Sequence, residues 1–322
     1  MITEVGTDIF KAKTLLESGS LVSIPTETVY GLAANAFHSE AIEKIYVVKN
    51  RPRFNPLILH VRDKNNIKSY VQEIPEKIQR LIDIHSPGPV TFLLPKSSLV
   101  SDLVTAGSNQ VAIRIPNHPM TLDLLSKLSF PLVAPSANIS GFVSPTSAEH
   151  CMQGLFGKIP YVLDGGLCNI GLESTIVGYD FEDNQVLIHR LGGLSIEEIE
   201  KTVEEEVKIS IQHSHPNTPG QLKSHYATKT PLKVSKTTSM ISQFGSKNIV
   251  VINLFQKIDG FQGCQFVLSV NNSISEAAQN LFSVLRLADD EKADLILVEL
   301  APNYGLGPAI NDRLQRAEHH HL

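Results

Sequence analysis

The feature that most constrains this chain is a series of short apolar runs, each too short for a helix and several stopped at once by proline. Residues 21–24 stop at Pro25, residues 111–115 at Pro116 and residues 132–134 at Pro135; residues 57–61 and 90–94 have the same apolar character. Runs of this length read as strands. Helical spacing fills the gaps. Residues 8–18 read as an amphipathic helix closed by Gly19, residues 39–50 as a second with Ala41, Ile45 and Val48 on one face, and residues 75–84 as a third. Asn117 is expected to cap a helix carrying Leu122, Leu124, Leu125 and Leu128. Residues 175–178 and 185–189 read as the last strands of the series. Ser195-Ile196-Glu197-Glu198 is a capping box opening an acidic helix through Glu206. Short strands alternating with helices predict an α/β or α+β sheet domain.

The pattern then changes. Residues 212–231 are rich in His, Pro, Thr, Ser and Lys and nearly devoid of apolar side chains. Residues 1–208 are therefore expected to form the first domain, 209–231 a linker or lid, and 232–322 a smaller α/β domain. In the last, residues 248–254 and 295–300 read as strands and 275–288 and 308–317 as helices, with parallel pairing. Two domains suit 322 residues. The net charge of −5 argues against a dedicated duplex-DNA binder. It leaves room for a local basic groove, because Lys44, Lys49, Arg51, Arg53, Arg62, Lys64 and Lys68 concentrate in one segment. The plain alternative is a solvated charged face. Three scattered cysteines without a Cys-x-x-Cys support neither a disulfide framework nor a thiolate zinc site. No leader segment and no apolar run of about 18 residues are visible, so a cytoplasmic protein without membrane association is expected. His319, His320 and His321 are set aside as uninformative.

Polar residues gather where these strands end. Lys49-Asn50-Arg51-Pro52-Arg53 puts three cations in five positions just before the 57–61 strand, and Asn55 follows. Guanidinium and ammonium groups there suit a polyphosphate. Ser136-Ala137-Asn138 leaves the 132–134 strand and is expected to cover the other side of the same nucleotide, unless it is only a turn. Thr26-Glu27-Thr28 leaves the first strand, where ligands of open sheets sit; a capped turn explains it equally. His60 lies within an apolar strand, as core histidines commonly do. Arg114 lies in an otherwise buried-looking strand and needs an anion: Glu27, Glu173 or a substrate carboxylate. Residues 146–149 fit a capping box, and Ser174 and Arg190 complete the polar set. There is no P-loop, no serine nucleophile elbow and no histidine pair at metal spacing.

Taken in order, these segments resemble the YrdC-like threonylcarbamoyl-AMP synthases. The resemblance runs through Pro25-Thr26-Glu27-Thr28-Val29-Tyr30-Gly31-Leu32, Lys49-x-Arg51-Pro52 with Asn55-Pro56-Leu57, Ser86-Pro87-Gly88-Pro89-Val90-Thr91 and Ala112-Ile113-Arg114-Ile115-Pro116. It continues through Pro135-Ser136-Ala137-Asn138, Ser144-Pro145-Thr146, Asp164-Gly165-Gly166 and Glu173-Ser174-Thr175-Ile176-Val177. Pro219-Gly220 and His225-Tyr226-Ala227 resemble the linker of the longer, two-domain form. The resemblance implies a twisted, open mixed sheet with a basic groove and a smaller Rossmann-like domain. It implies that L-threonine, bicarbonate and ATP, with Mg2+, give threonylcarbamoyl-AMP and pyrophosphate, passed to a transferase that modifies tRNA. Matching motifs assign Thr28, His60, Arg114, Ser174 and the Ala134 backbone to threonine. They assign Lys49, Arg51, Asn55, Ser136, Asn138, Ser144 and Arg190 to ATP, with Lys49 and Arg51 neutralising charge and Tyr226 closing as a lid. The alternative is an RNA-binding module in which the same cations meet RNA phosphates; weak RNA binding fits either reading.

Overall fold

The computed structural model describes residues 1–210, 225–235, 241 and 248–318. Most of the expected linker, with Pro219-Gly220, and the C-terminal histidines lie outside the described residues. By spatial contacts the chain divides into two compact units. The first comprises Met1–Ser140, Pro145–Asn169 and Glu173–Leu222; the second comprises Gly141–Ser144, Ile170–Leu172 and Lys223–Leu322. The division is therefore not one cut along the sequence, because two short segments of the N-terminal region count with the second unit.

In chain order the first unit contains β1 (Glu4–Gly6), α1 (Ile9–Glu17), β2 (Val22–Ile24), β3 (Gly31–Asn35), α2 (Ser39–Lys49), β4 (Ile58–His60), α3 (Lys64–Tyr70), α4 (Glu76–His85), β5 (Val90–Pro95), α5 (Asp102–Thr105), β6 (Gln110–Arg114), α6 (Pro119–Ser126), β7 (Leu132–Val133), α7 (Ala148–Leu155), β8 (Tyr161–Leu163), β9 (Thr175–Asp180), β10 (Gln185–Arg190), α8 (Ile196–Val203) and β11 (Lys208–Ile209). The strands form one mixed sheet in the order β1-β8-β2-β3-β7-β4-β6-β5-β9-β10-β11. Parallel pairs such as β4 with β6 and β5 with β9 are joined by the antiparallel pair β5–β6.

Period-two alternation sorts the side chains of this sheet. Leu57, Leu59, Val61, Phe92, Ile113 and Val177 share a core cluster with Ile42 and Ile45 of α2 and Ile78 and Ile82 of α4. A second cluster joins Val22, Ile24, Ala33 and Leu132 to Ala12 and Leu16 of α1 and Leu124 and Leu125 of α6. On the other face of the central strands, Ile58, Leu93, Ala112 and Ile176 form a small apolar cluster.

Helix ends follow local chemistry, with three departures from expectation. Asp8 caps α1 by accepting from the Lys11 amide, and Ser195 with Glu198 forms the expected capping box on α8. However, α8 ends at Val203, with Glu204 left-handed behind it, rather than running through Glu206. His118, not Asn117, occupies the N-cap of α6, with Pro119 supplying a helix-ready φ in place of a side-chain cap. Ser147, not Thr146, caps α7 by accepting from the His150 amide. The short β3, of sequence Gly-Leu-Ala-Ala-Asn, was not anticipated because its small residues carry little strand signal.

The second unit contains β12 (Leu232–Ser235), β13 (Ile249–Asn253), β14 (Cys264–Val267), α9 (Ile274–Asp290), β15 (Leu295–Glu299) and α10 (Gly307–Glu318). Its strands are all parallel, in the order β12-β15-β13-β14. Among the described residues, no helix of either unit is long and apolar enough to cross a membrane.

Candidate functional site

One face of the first unit's sheet carries a row of buried polar groups. In the parallel pair β4–β6, Ile58 stands beside Ala112 and His60 beside Arg114. The same alternation puts Thr91 on the face of Leu93, and Ser174 on the face of Ile176. A register shift between Ile188 and Arg190 in β10 sets Arg190 opposite Ile176, adding it to that face. His60, Thr91, Arg114, Ser174 and Arg190 are all buried. Burying so many polar groups is costly unless each is bonded, and Thr91, Ser174 and Arg190 bond to one another.

Ser174 is the hub at one end. Its hydroxyl lies 2.7 Å from that of Thr91, and Arg190 Nη2 donates to its Oγ at 3.1 Å and to its carbonyl at 2.8 Å. Gly192 lets the following chain pass close behind, since a Cβ there would lie 2.3 Å from the Glu173 carbonyl oxygen. Thr91 was not singled out from the sequence. Its signal was a hydroxyl alternating with apolar neighbours inside a core strand.

His60 Nδ1 lies 3.1 Å from the Ile58 carbonyl oxygen. A carbonyl can only accept, so Nδ1 carries the proton and Nε2 remains an acceptor. Burial, and then the Arg114 charge, hold this imidazole down at about 3, so it is neutral at neutral pH. Arg114 Nε donates to the Gly88 carbonyl at 3.2 Å, and its Nη2 lies 2.8 Å from Glu27 Oε1. Of the partners considered from sequence, Glu27 is thus the one in contact. Glu27 follows Thr26, whose Oγ1 accepts from the amides of Thr28 and Val29 at 3.2 Å and donates to the Val29 carbonyl at 2.6 Å. Thr28 and Thr26 hydroxyls lie 2.8 Å apart. The segment is a side-chain-closed turn leading into β3, not a helix cap.

The cationic motif and the Ser-x-Asn motif also meet. Asn50 adopts the left-handed conformation (φ 51°) that ends α2 and turns the chain after Lys49. Lys49 Nζ donates to the carbonyls of Ser136 and Asn138, each at 2.5 Å. Burial, followed by the charge of Arg51, pushes this ammonium well below the usual lysine range. Arg51 is held by Asn55: Nε donates to its carbonyl at 3.1 Å and Nη2 to its Oδ1 at 2.8 Å. A further bond reaches the Pro56 carbonyl at 2.7 Å. Burial brings Arg51 down to about 10, still charged at neutral pH. The 134–137 segment docks across the sheet, with the Ala134 amide donating to Ile58 and the Ala137 amide to Tyr30.

Two expected ATP residues belong to the second unit. Ser144 is buried in the segment Gly141–Ser144. Tyr226 is also buried, at a positive φ of 66°. Its ring stacks on Phe282 at 5.5 Å, and the Arg313 guanidinium lies 5.3 Å from its centroid. In this arrangement the Tyr226 ring is part of the second unit's own packing. Among the described residues, no group of three or more His, Cys, Asp or Glu side chains is arranged to hold a metal.

Comparison with known proteins places the chain among relatives over nearly its whole length. A family profile described as telomere recombination matches residues 14–192, and one described as threonylcarbamoyl-AMP synthase, C-terminal domain, matches residues 194–318. The chain is similar to the threonylcarbamoyl-AMP synthase of Bacillus subtilis (strain 168), at 38% identity over 96% of this chain and 92% of the relative. It is similar to the enzyme of the same name from Pyrococcus abyssi, at 37% identity over 94% and 91%. The crystal structure of P. abyssi Sua5 complexed with L-threonine superposes with a TM-score of 0.91, at 35% identity over 99% of this chain and 98% of that one.

Proposed function

This chain belongs to the threonylcarbamoyl-AMP synthase family, and we propose that it joins L-threonine, bicarbonate and ATP into threonylcarbamoyl-AMP and pyrophosphate. The observation that carries the reading is the row of buried polar groups on one sheet face, continuing from a small apolar cluster. Such a site positions reactants and balances charge, which is what the reaction requires.

Threonine binds at the His60–Arg114–Ser174 end. Arg114 takes the carboxylate as a charge-assisted pair. His60, neutral with Nε2 as an acceptor, takes a hydroxyl proton in a hydrogen bond, and Thr28, Ser174 and the Ala134 backbone complete the pocket. Ile58, Leu93, Ala112 and Ile176 offer apolar surface to a methyl group. The neutral amine attacks the bicarbonate carbon and water leaves, giving a carbamate. The carbamate oxygen then attacks the α-phosphorus and pyrophosphate departs. The carbamate is unstable in water, so both steps belong in one sheltered site.

ATP lies along Lys49, Arg51, Asn55, Ser136, Asn138 and Arg190. Among the described residues, the hydrogen bonds of Arg51 run through Nε and Nη2, which leaves Nη1 for phosphate. Lys49 acts partly through structure, since it fixes the Ser136–Asn138 loop. Magnesium enters as the metal of Mg-ATP and is part of the substrate. The product passes to a tRNA threonylcarbamoyl transferase, and the reaction runs in the cytoplasm.

The test is pyrophosphate release from Mg-ATP and bicarbonate, with and without L-threonine, alongside detection of the adenylate. Threonine-dependent release with threonylcarbamoyl-AMP present is expected. A folded protein that releases no pyrophosphate with all substrates present would overturn the reading.

A further inference from the structure

The threonine reading leaves one buried charge without a task. Glu27 is 5% exposed, and neither carboxylate oxygen accepts a hydrogen bond. Among the described residues its one close partner is Arg114, whose Nη2 approaches Oε1 to 2.8 Å outside hydrogen-bond alignment. Arg114 Nη2 is itself without a hydrogen bond. A buried carboxylate normally collects several hydrogen bonds, because ionised oxygens taken from water cost several kcal/mol by rough estimate. Here the backbone does not supply them. The Thr26 hydroxyl, which could have turned to the carboxylate, is committed to Thr28 and Val29.

Two charges in contact, both with unused bonding capacity on buried atoms, form a half-finished site. What completes it is a molecule with a negative and a positive group attached to one carbon. The α-carboxylate and α-ammonium of an amino acid are such a pair, and their order is the reverse of Arg114 and Glu27. We propose that Glu27 is the residue that recognises the α-amine of the substrate, so that the pair Glu27–Arg114 reads the amino-acid zwitterion as a whole. This rests on threonine being the substrate. Glu27 and Arg114 neutralise each other in the empty protein, and each exchanges part of that contact for the matching substrate group. The turn at Thr26 holds the Glu27 backbone ready, so little ordering is left for the moment of binding.

The proposal is tested by asking what the amine is worth. Binding of L-threonine and of (R)-3-hydroxybutyrate, which keeps the carboxylate, hydroxyl and methyl but lacks the amine, is measured by calorimetry on wild type and Glu27→Gln. In wild type the amine is expected to improve affinity roughly 10- to 100-fold, the range of a charge-assisted hydrogen bond. In Glu27→Gln the preference should collapse to within about threefold, since a neutral amide forgoes the charge assistance. A residue that only props up Arg114 would weaken both ligands together and leave the ratio unchanged, and that result overturns the proposal. So does a wild-type ratio near one. Should Glu27→Gln fail to fold, Glu27→Asp replaces it. That variant keeps the charge with a shorter reach, and an intermediate ratio is expected; an unchanged ratio overturns the proposal. Threonine-dependent pyrophosphate release by wild type, measured in parallel, separates the two failures. Its presence with an unchanged ratio removes Glu27 alone, while its absence removes the substrate reading and this inference together.

Discussion

The two sheets of this molecule obey the same alternation and use it in opposite ways. In the second unit, β13 reads Ile-Val-Val-Ile-Asn and is buried along its whole length, and β15 is buried through Val298. Ile249, Val251, Leu295 and Leu297 cluster on one face, and Val250, Ile252, Ile296 and Val298 are buried on the other. That is the signature of a parallel sheet covered on both sides. In the first unit, the central strands are apolar on one face only. The second face starts with Ile58, Ala112, Leu93 and Ile176 and continues as His60, Arg114, Thr91 and Ser174. Both sheets bury their residues almost completely, so burial does not separate scaffold from site. The separating feature is buried polarity confined to one face.

Substitutions on each side should therefore fail differently. Arg51→Ala should lower kcat/KM for threonylcarbamoyl-AMP formation roughly 100- to 1,000-fold, the scale of one charge-stabilising donor. Steady-state pyrophosphate release measures this, and near-wild-type turnover would remove Arg51 from the site. Acid sensitivity comes next. The His60 imidazole is held at about 3 in the folded protein, against 6.5 for a free histidine. The unfolded chain therefore binds the extra proton between those values. Stability contributed by keeping His60 neutral is complete above about pH 6.5 and drains away as pH falls toward 3. Replacing it by His60→Gln should flatten that slope by up to ~3 kcal/mol, seen in urea unfolding at pH 7 and pH 4.

Ile252→Ala in the second sheet should cost about 3 kcal/mol of stability. Activity per folded molecule should be unchanged; a selective loss of turnover would contradict the view of that sheet as scaffold. The smallest effect is expected for Thr91→Val, which removes one hydroxyl partner of Ser174. A loss of about 1 kcal/mol, or roughly fivefold in threonine KM, is the expected size. An unchanged KM would show that Arg190 alone positions Ser174.

Much of this was legible before the fold was known, because the signals were local. Apolar runs ending in proline marked β2, β6 and β7. Ser195 and Glu198 announced the start of α8 as a capping box. Arg114 stood out as a charge in an apolar strand, and Glu27 was among its three expected anions. Less was legible where the deciding partner lay far along the chain. The Gly31–Asn35 strand is held by β2 and β7 rather than by its own propensity. Cys264–Val267 pairs with β13 although its own sequence carries mixed polarity.

The sequence by itself determined many of the strands, where several helices begin and which side chains are chemically able to bind a polyphosphate. Those properties depend on residue type and spacing within a few positions. Only the tertiary structure decided that His60 and Arg114 are neighbours, that Lys49 reaches across to Ser136 and Asn138, and that a slip in the β9–β10 register brings Arg190 onto Ser174. Strand order and register belong to pairs of distant segments. A shift of one residue would have turned His60, Arg114 or Arg190 to the opposite face.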